Sequence, residues 1–151
     1  MIKANVEVDK KSWQKKIKNP KKYFNRKLKI LSKMVNFFKN KNIIFTILLT
    51  NSLNIKKLNE KFRKKNKHTD VLSFPYFAGK NYNSTKGKEI YIGDIAVSYE
   101  VIYSRSKKNN FILEFDKVWV HGLLHLLGYN HIKNKDYLKM NRFEKRILNI
   151  I

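Results

Sequence analysis

Three of the four histidines in this 151-residue chain fall within one eleven-residue window, HGLLHLLGYNH, from His121 to His131. Neutral imidazole is a common metal ligand, and residues four apart on a helix share one face. If the segment is helical, His121 and His125 present their rings to one point. The helix must then end, or the third ring rotates away, and Gly128 supplies the stop. The chain turns through Tyr129 and Asn130 and returns His131 toward the same point. Three nitrogen ligands leave one position of a tetrahedral zinc ion open to water, the arrangement of catalytic rather than structural sites. Zinc lowers the pKa of that water to about 7. The pattern predicts one zinc ion per chain, held by His121, His125 and His131 with no fourth side-chain ligand. The remaining histidine, His68, lies in a polar connection and reads as a surface residue.

The frame H-x-x-x-H-x-x-G-x-x-H is that of metzincin proteases, which carry a glutamate directly after the first histidine as general base. Here that position is Gly122. Activating water against a neutral amide calls for such a carboxylate. A phosphodiester brings its own negative charge, and RNA brings a 2′-hydroxyl as a further nucleophile. A metal ion and a cation that stabilises the transition state then suffice, and a carboxylate at position 122 would repel the substrate. Gly122 favours phosphoryl chemistry over proteolysis.

The rest of the chain bounds the setting. No cysteine is present, so disulfides and thiolate metal sites are excluded. Hydrophobic residues make up 42% and aromatic residues 13%, enough for a packed core. The opening residues lack the apolar stretch of a secretory signal, and the longest apolar run, IIFTILL, is far short of the roughly 20 residues of a membrane span. A cytoplasmic protein with no membrane partner is expected. The formal net charge of +23 concentrates polyanions at the surface. Of the 34 basic residues 29 are lysine, an excess that A+T-rich coding also produces, so charge alone does not separate RNA from DNA. Its distribution says more: no acidic residue occurs from Lys10 to Asn59, and ten basic ones occur between Lys10 and Lys29.

The elements that must position the histidines can be read from periodicity. IKANVEVD alternates as a strand with Ile2, Ala4, Val6 and Val8 on one face. KKYFNRKLKILSKMVNFFKN places its apolar residues at helical spacing behind Pro20. IIFTILLT reads as a strand buried on both faces, and Asn51 or Ser52 caps the following helix. TDVLSFPYF is a strand stopped near Pro75, and residues 79–88 form an exposed turn. EIYIGDIAVSY is a strand whose Gly93-Asp94 predicts a bulge or a close backbone approach. A helical pattern from about Glu100 breaks near residues 107–110 and resumes as ILEFDKVWVHGLLHLLG, apolar almost all round and therefore central to the core. DYLKMNRFEKRILNI is a last amphipathic helix. The order βαβαββαα predicts an α+β (mixed α/β) single domain: a four-stranded mixed sheet covered by about four to five helices, with the metal site at the end of the central helix.

Read together, these segments resemble a known family. HGLLHLLGYNH closely resembles H-G-x-L-H-L-x-G-Y-D-H, the signature of the bacterial endoribonuclease YbeY (rRNA maturation factor) family. LNEKFRKKNKHTDVLSFPY is similar to the family's stretch in which an arginine precedes T-D-V-L-S-F-P. IGDIAVS resembles its L-G-D-I-x-I-S strand, and MNRFEKRIL its M-x-x-x-E-x-x-I-L close. The resemblance covers most of the chain, residues 1–151 being expected to form one metal-dependent endoribonuclease domain. It implies a zinc-dependent, single-strand-specific endoribonuclease acting on single-stranded RNA, in maturation of the small-subunit (16S) rRNA 3′ end and in ribosome quality control at the small ribosomal subunit. It implies His121, His125 and His131 as metal ligands and Arg63 as the family's arginine, here assigned as the catalytic cation. One departure is Asn130, where the family has aspartate. If residue 130 supports a ligating imidazole, loss of the carboxylate lowers metal affinity or activity by about 10–100-fold. Asp70, Ser73, Asp94 and Ser98 read as residues that hold strand ends and loops. Two other functions compete: a non-enzymatic rRNA-binding assembly factor with a zinc-stabilised C-terminal region, and a metalloprotease, which Gly122 disfavours.

Overall fold

A computed structural model describes residues 1–39, 41–77 and 89–151. The elements in chain order are β1 (Ile2–Val8), α1 (Ser12–Lys16), α2 (Pro20–Met34), α3 (Asn36–Lys39), β2 (Ile43–Thr50), α4 (Ser52–Arg63), β3 (Val71–Pro75), β4 (Ile90–Ser98), α5 (Tyr99–Ser106), α6 (Phe111–Leu126) and α7 (Asn134–Leu148). The four strands make one mixed sheet in the order β1-β2-β4-β3, with β1, β2 and β4 parallel and β3 antiparallel to β4. The expected exposed turn at residues 79–88 lies outside the described residues. No helix among the described residues is long and apolar enough to cross a membrane.

Seven helices are described where four to five were expected. The additional two are the short α1, which has too few residues for a periodic signal, and α3, whose residues were expected to continue α2. Helix α1 exists because Trp13 is fully buried, donates its Nε1–H to the Thr50 carbonyl at 2.9 Å and packs against Tyr99, Phe111 and Phe115. Tertiary packing of this kind overrides weak local preference. Helix α3 is cut from α2 at Val35, which is extended (φ −103°, ψ 111°), and both Val35 and Phe38 are buried.

Strand β2 also departs from expectation. Ile43, Phe45, Ile47 and Leu49 are fully buried in the main core, but Ile44, Thr46 and Leu48 on the opposite face are only half-buried. The coverage is unequal: α2 and α6 contribute to the large core, while α4 alone builds a small cluster of Ile55, Leu72 and Ala96 on the other side. Asn51 caps α4 by accepting from the Asn54 amide at 2.9 Å.

Strand β4 carries the predicted irregularity. Its pairing with β2 shifts register between Ile44 and Thr46, and Gly93 adopts φ +132°. A Cβ at Gly93 would lie 2.2 Å from the Phe74 carbonyl oxygen, so only glycine permits this approach of β3 to β4.

Helix α6 is the element that fixes the site. Asn110 caps it by accepting from the amides of Ile112 and Leu113, and Phe115, Trp119, Val120, Leu123, Leu124 and Leu126 are buried around it. It packs against β3, β4, α5 and α7. A helix held on so many sides has little freedom to rotate, and residues at its end inherit that precision.

Candidate metal centre

Helix α6 ends as the spacing required. Gly128 takes φ +80°. The Gly128 amide donates to the His125 carbonyl at 2.9 Å and the Tyr129 amide to the Leu124 carbonyl at 3.0 Å. These two bonds are those of a Schellman stop, and they reverse the chain directly after the second histidine. His131 is thereby returned to the helix end. The imidazole centroids of His121, His125 and His131 lie 4.7, 5.1 and 5.7 Å apart, and one nitrogen from each falls within 4.8 Å of the others.

The hydrogen bonds of the rings fix their tautomers. His125 Nδ1 lies 3.0 Å from the Tyr129 carbonyl oxygen, which only accepts, so Nδ1 carries the proton. His121 Nδ1 donates in the same way to Glu144 Oε2 on α7 at 3.1 Å. The two Nε2 atoms are left facing each other at 3.1 Å. Burial pushes the His125 pKa down to about 4, with the neighbouring His121 and more weakly His131 and Arg63 acting in the same direction. His125 is therefore neutral at neutral pH and offers a lone pair. Nitrogen lone pairs directed at one another repel unless a cation lies among them, so this donor set fits a divalent ion with a preference for imidazole.

Sequence reasoning missed Glu144. Its position in MNRFEKRIL was legible as part of a motif, but its contact with His121 depends on how α7 packs on α6. Residue 130 does not serve the role suggested for it. Asn130 is exposed, its side chain makes no hydrogen bond among the described residues, and the second nitrogens of His121 and His125 are taken by Glu144 and the Tyr129 carbonyl.

Gly122 has a steric reason for being glycine. It is buried toward the sheet, where a Cβ would lie 3.0 Å from Ile95 Cγ2 and 3.1 Å from both Ser73 Oγ and Val71 Cγ2. Its carbonyl also accepts from Ser73 Oγ at 3.2 Å. A glutamate there would enter the helix–sheet interface. The absence of the protease base thus reflects packing, in addition to the charge argument made from sequence.

Arg63 closes α4 and is exposed, and its Nη2 donates to the Ser73 carbonyl at 3.1 Å. This contact turns the guanidinium into the cleft of about 720 Å³ that Arg63 lines together with the three histidines and Glu144. His68 is exposed and outside that cleft. Asp70 accepts from the Val71 amide and pairs with Arg105, Ser98 bonds Ser52, and Asp94 accepts from Tyr91. Asp70 thus holds the start of β3 and Ser98 the junction of β4 with α5, whereas Asp94 lies within β4 and bonds a residue of its own strand.

The comparisons with known proteins agree along the chain. A family model described as Endoribonuclease YbeY matches residues 5–151. The chain is 48% identical over 155 residues to the endoribonuclease YbeY of Pelagibacter ubique, covering 100% of this chain and 97% of that protein. It is 34% identical over 150 residues to the endoribonuclease YbeY of Ehrlichia canis, covering 98% and 91%. A solution structure of a Thermotoga maritima protein is similar with a TM-score of 0.62 at 26% identity, covering 98% of this chain and 87% of that one. A near-full-length match, together with the fold, makes the assignment plain: the chain belongs to the endoribonuclease YbeY family.

Proposed function

We propose that residues 1–151 form one zinc-dependent, single-strand-specific endoribonuclease, cytoplasmic, that acts in 3′-end maturation of small-subunit (16S) rRNA and in ribosome quality control at the small ribosomal subunit. The observation that carries this reading is the convergence of His121, His125 and His131 on one point of a cleft that Arg63 also lines.

His121 and His125 would hold the ion through Nε2, each oriented by a hydrogen bond from its Nδ1–H, and His131 would complete the set from the turn. When bound, zinc supplies Lewis-acid stabilisation of charge on phosphoryl oxygens. Arg63 spends one N–H on the Ser73 carbonyl, which fixes the plane of the guanidinium. Its other N–H groups would be left for non-bridging oxygens of a phosphate in the cleft, where charge-assisted bonds strengthen as negative charge builds. The lysine-rich surface supplies non-specific affinity that weakens steeply with salt.

Zinc-loaded wild type, His121→Ala and Arg63→Ala should be assayed on one single-stranded RNA. His121→Ala is expected to lose both metal and cleavage. Arg63→Ala is expected to keep the metal and lower kcat by about 100-fold, the scale for removing one donor to a transition-state oxyanion. Equal cleavage by all three proteins would assign the activity to a contaminant and leave the assembly-factor reading in its place.

A further inference from the structure

Four aromatic side chains among the described residues are largely exposed: Phe62, Tyr76, Tyr103 and Tyr137. Phe62 packs edge-on against Phe74, Tyr76 against Phe77 and Tyr91, and Tyr103 stacks on Tyr99. Tyr137 alone of the four has no ring partner among the described residues, although it is 53% exposed. It stands on α7, at the rim of a recess of about 170 Å³ that His121 and His131 close on the other side. Asn141, one helical turn further along α7, lines the same recess, and its side-chain amide has no hydrogen-bond partner among the described residues. The buried Met140 also contributes to the wall.

We propose that this recess is a nucleobase subsite, in which Tyr137 stacks on the base of a nucleotide flanking the scissile phosphate and Asn141 reads its edge. The proposal rests on the endoribonuclease reading above and adds a specificity element to it. A free aromatic face and an amide that both donates and accepts are the groups by which proteins hold unpaired RNA bases. The volume of the recess is closer to that of one base than to that of a base pair, in keeping with a single-stranded substrate. It adjoins the histidines on the side of α7, whereas Arg63 lies in the main cleft, so base and phosphate would be held on different sides of the metal centre.

The test uses zinc-loaded protein and a short single-stranded RNA in which one abasic residue is walked along the sequence, with kcat/KM measured at each position. In the wild type, an abasic residue at one position beside the cut is expected to lower kcat/KM by about 5- to 100-fold, the worth of one base–aromatic stack. Tyr137→Ala should show the same loss on the intact RNA and no further loss from that abasic residue. Tyr137→Phe should behave as wild type, and Asn141→Ala should flatten the preference among the four bases at that position. Because Tyr137 is exposed, a thermal melt of each variant is expected to match wild type. Cleavage by Tyr137→Ala with wild-type efficiency, or an abasic loss that adds fully to the mutational one, overturns the subsite while leaving the nuclease reading intact. A zinc-loaded wild type that cleaves no RNA overturns both.

Discussion

Helix α6 carries two polar clusters within one element, and they handle their polar atoms in opposite ways. Asp116 is buried, and its carboxylate accepts from Lys27 Nζ at 2.6 Å, from Trp119 Nε1 at 2.8 Å and from the Tyr23 hydroxyl. Burial, reinforced by Asp116, raises the Tyr23 pKa well above the ordinary phenol range, so Tyr23 remains a donor. The charges of Lys27 and Asp116 cancel, and every group has a partner. Five residues on, His121 begins a cluster with the opposite character: half-buried, open to a cleft, with two Nε2 atoms 3.1 Å apart and no donor between them. A closed, satisfied network ties α2 to α6. An open set of lone pairs is a donor set suited to a cation. Burial and polarity do not distinguish structure from function; the balance of donors against acceptors does.

The sharpest way to break that comparison is to unbalance the closed cluster. Asp116→Ala leaves the Lys27 ammonium buried without its counter-charge and strands the Tyr23 and Trp119 donors. The expected cost is about 3–5 kcal/mol, because an uncompensated buried charge is far more expensive than the loss of a favourable pair. Urea denaturation reads it directly. The double variant Lys27→Met with Asp116→Leu should recover most of the loss, since a buried pair is often replaceable by apolar residues of similar volume. A loss below about 1 kcal/mol for Asp116→Ala, the level of an ordinary surface change, would mean that water reaches Lys27 and the cluster is not closed.

The open cluster should respond in metal affinity instead. Glu144→Ala removes the acceptor that orients His121, and metal binding is expected to weaken by about 10–100-fold, the usual effect of losing a ligand's hydrogen-bond partner. Glu144→Gln retains an acceptor for the Nδ1–H and should lose less. A competition titration with a chromogenic chelator gives the affinity without requiring activity. If Glu144 only ties α7 to α6, its removal lowers the melting temperature and leaves the metal affinity of the folded protein unchanged.

Much of this was legible in the sequence, for identifiable reasons. The His121–His125 pairing follows from helical periodicity and the return of His131 from one glycine, both local features. Strand β1 followed from alternation, β2 from a continuous apolar run, and the Gly93 irregularity from a glycine within a strand pattern. Helix α1 was invisible because five residues carry no period; Trp13 makes it a helix by burying itself among rings distant in sequence. The even half of β2 was expected to be as buried as the odd half, but periodicity is silent on how many helices cover each face. Glu144 and Asp116 escaped notice for a related reason. Each depends on which residue of another helix it meets, and contacts between elements are not written in the spacing within one.

The smallest expected effect belongs to the position where this chain departs from the family pattern. An aspartate at 130 would matter greatly if its carboxylate held a ligating imidazole. Here the second nitrogens of His121 and His125 already have acceptors, and the Asn130 side chain is exposed with no hydrogen bond among the described residues. Asn130→Asp therefore adds only an exposed negative charge near the ion, a contribution of about 0–1 kcal/mol for exposed pairs and one that salt screens. Metal affinity should tighten by no more than about fivefold at low ionic strength, and less at 0.5 M salt. The same chelator competition, run at two salt concentrations, measures both numbers. A salt-independent tightening of tenfold or more would show that the residue swings in to hold an imidazole once the metal is bound. The open cluster would then be completed from its own turn, and Glu144 would be only one of two carboxylates able to orient it.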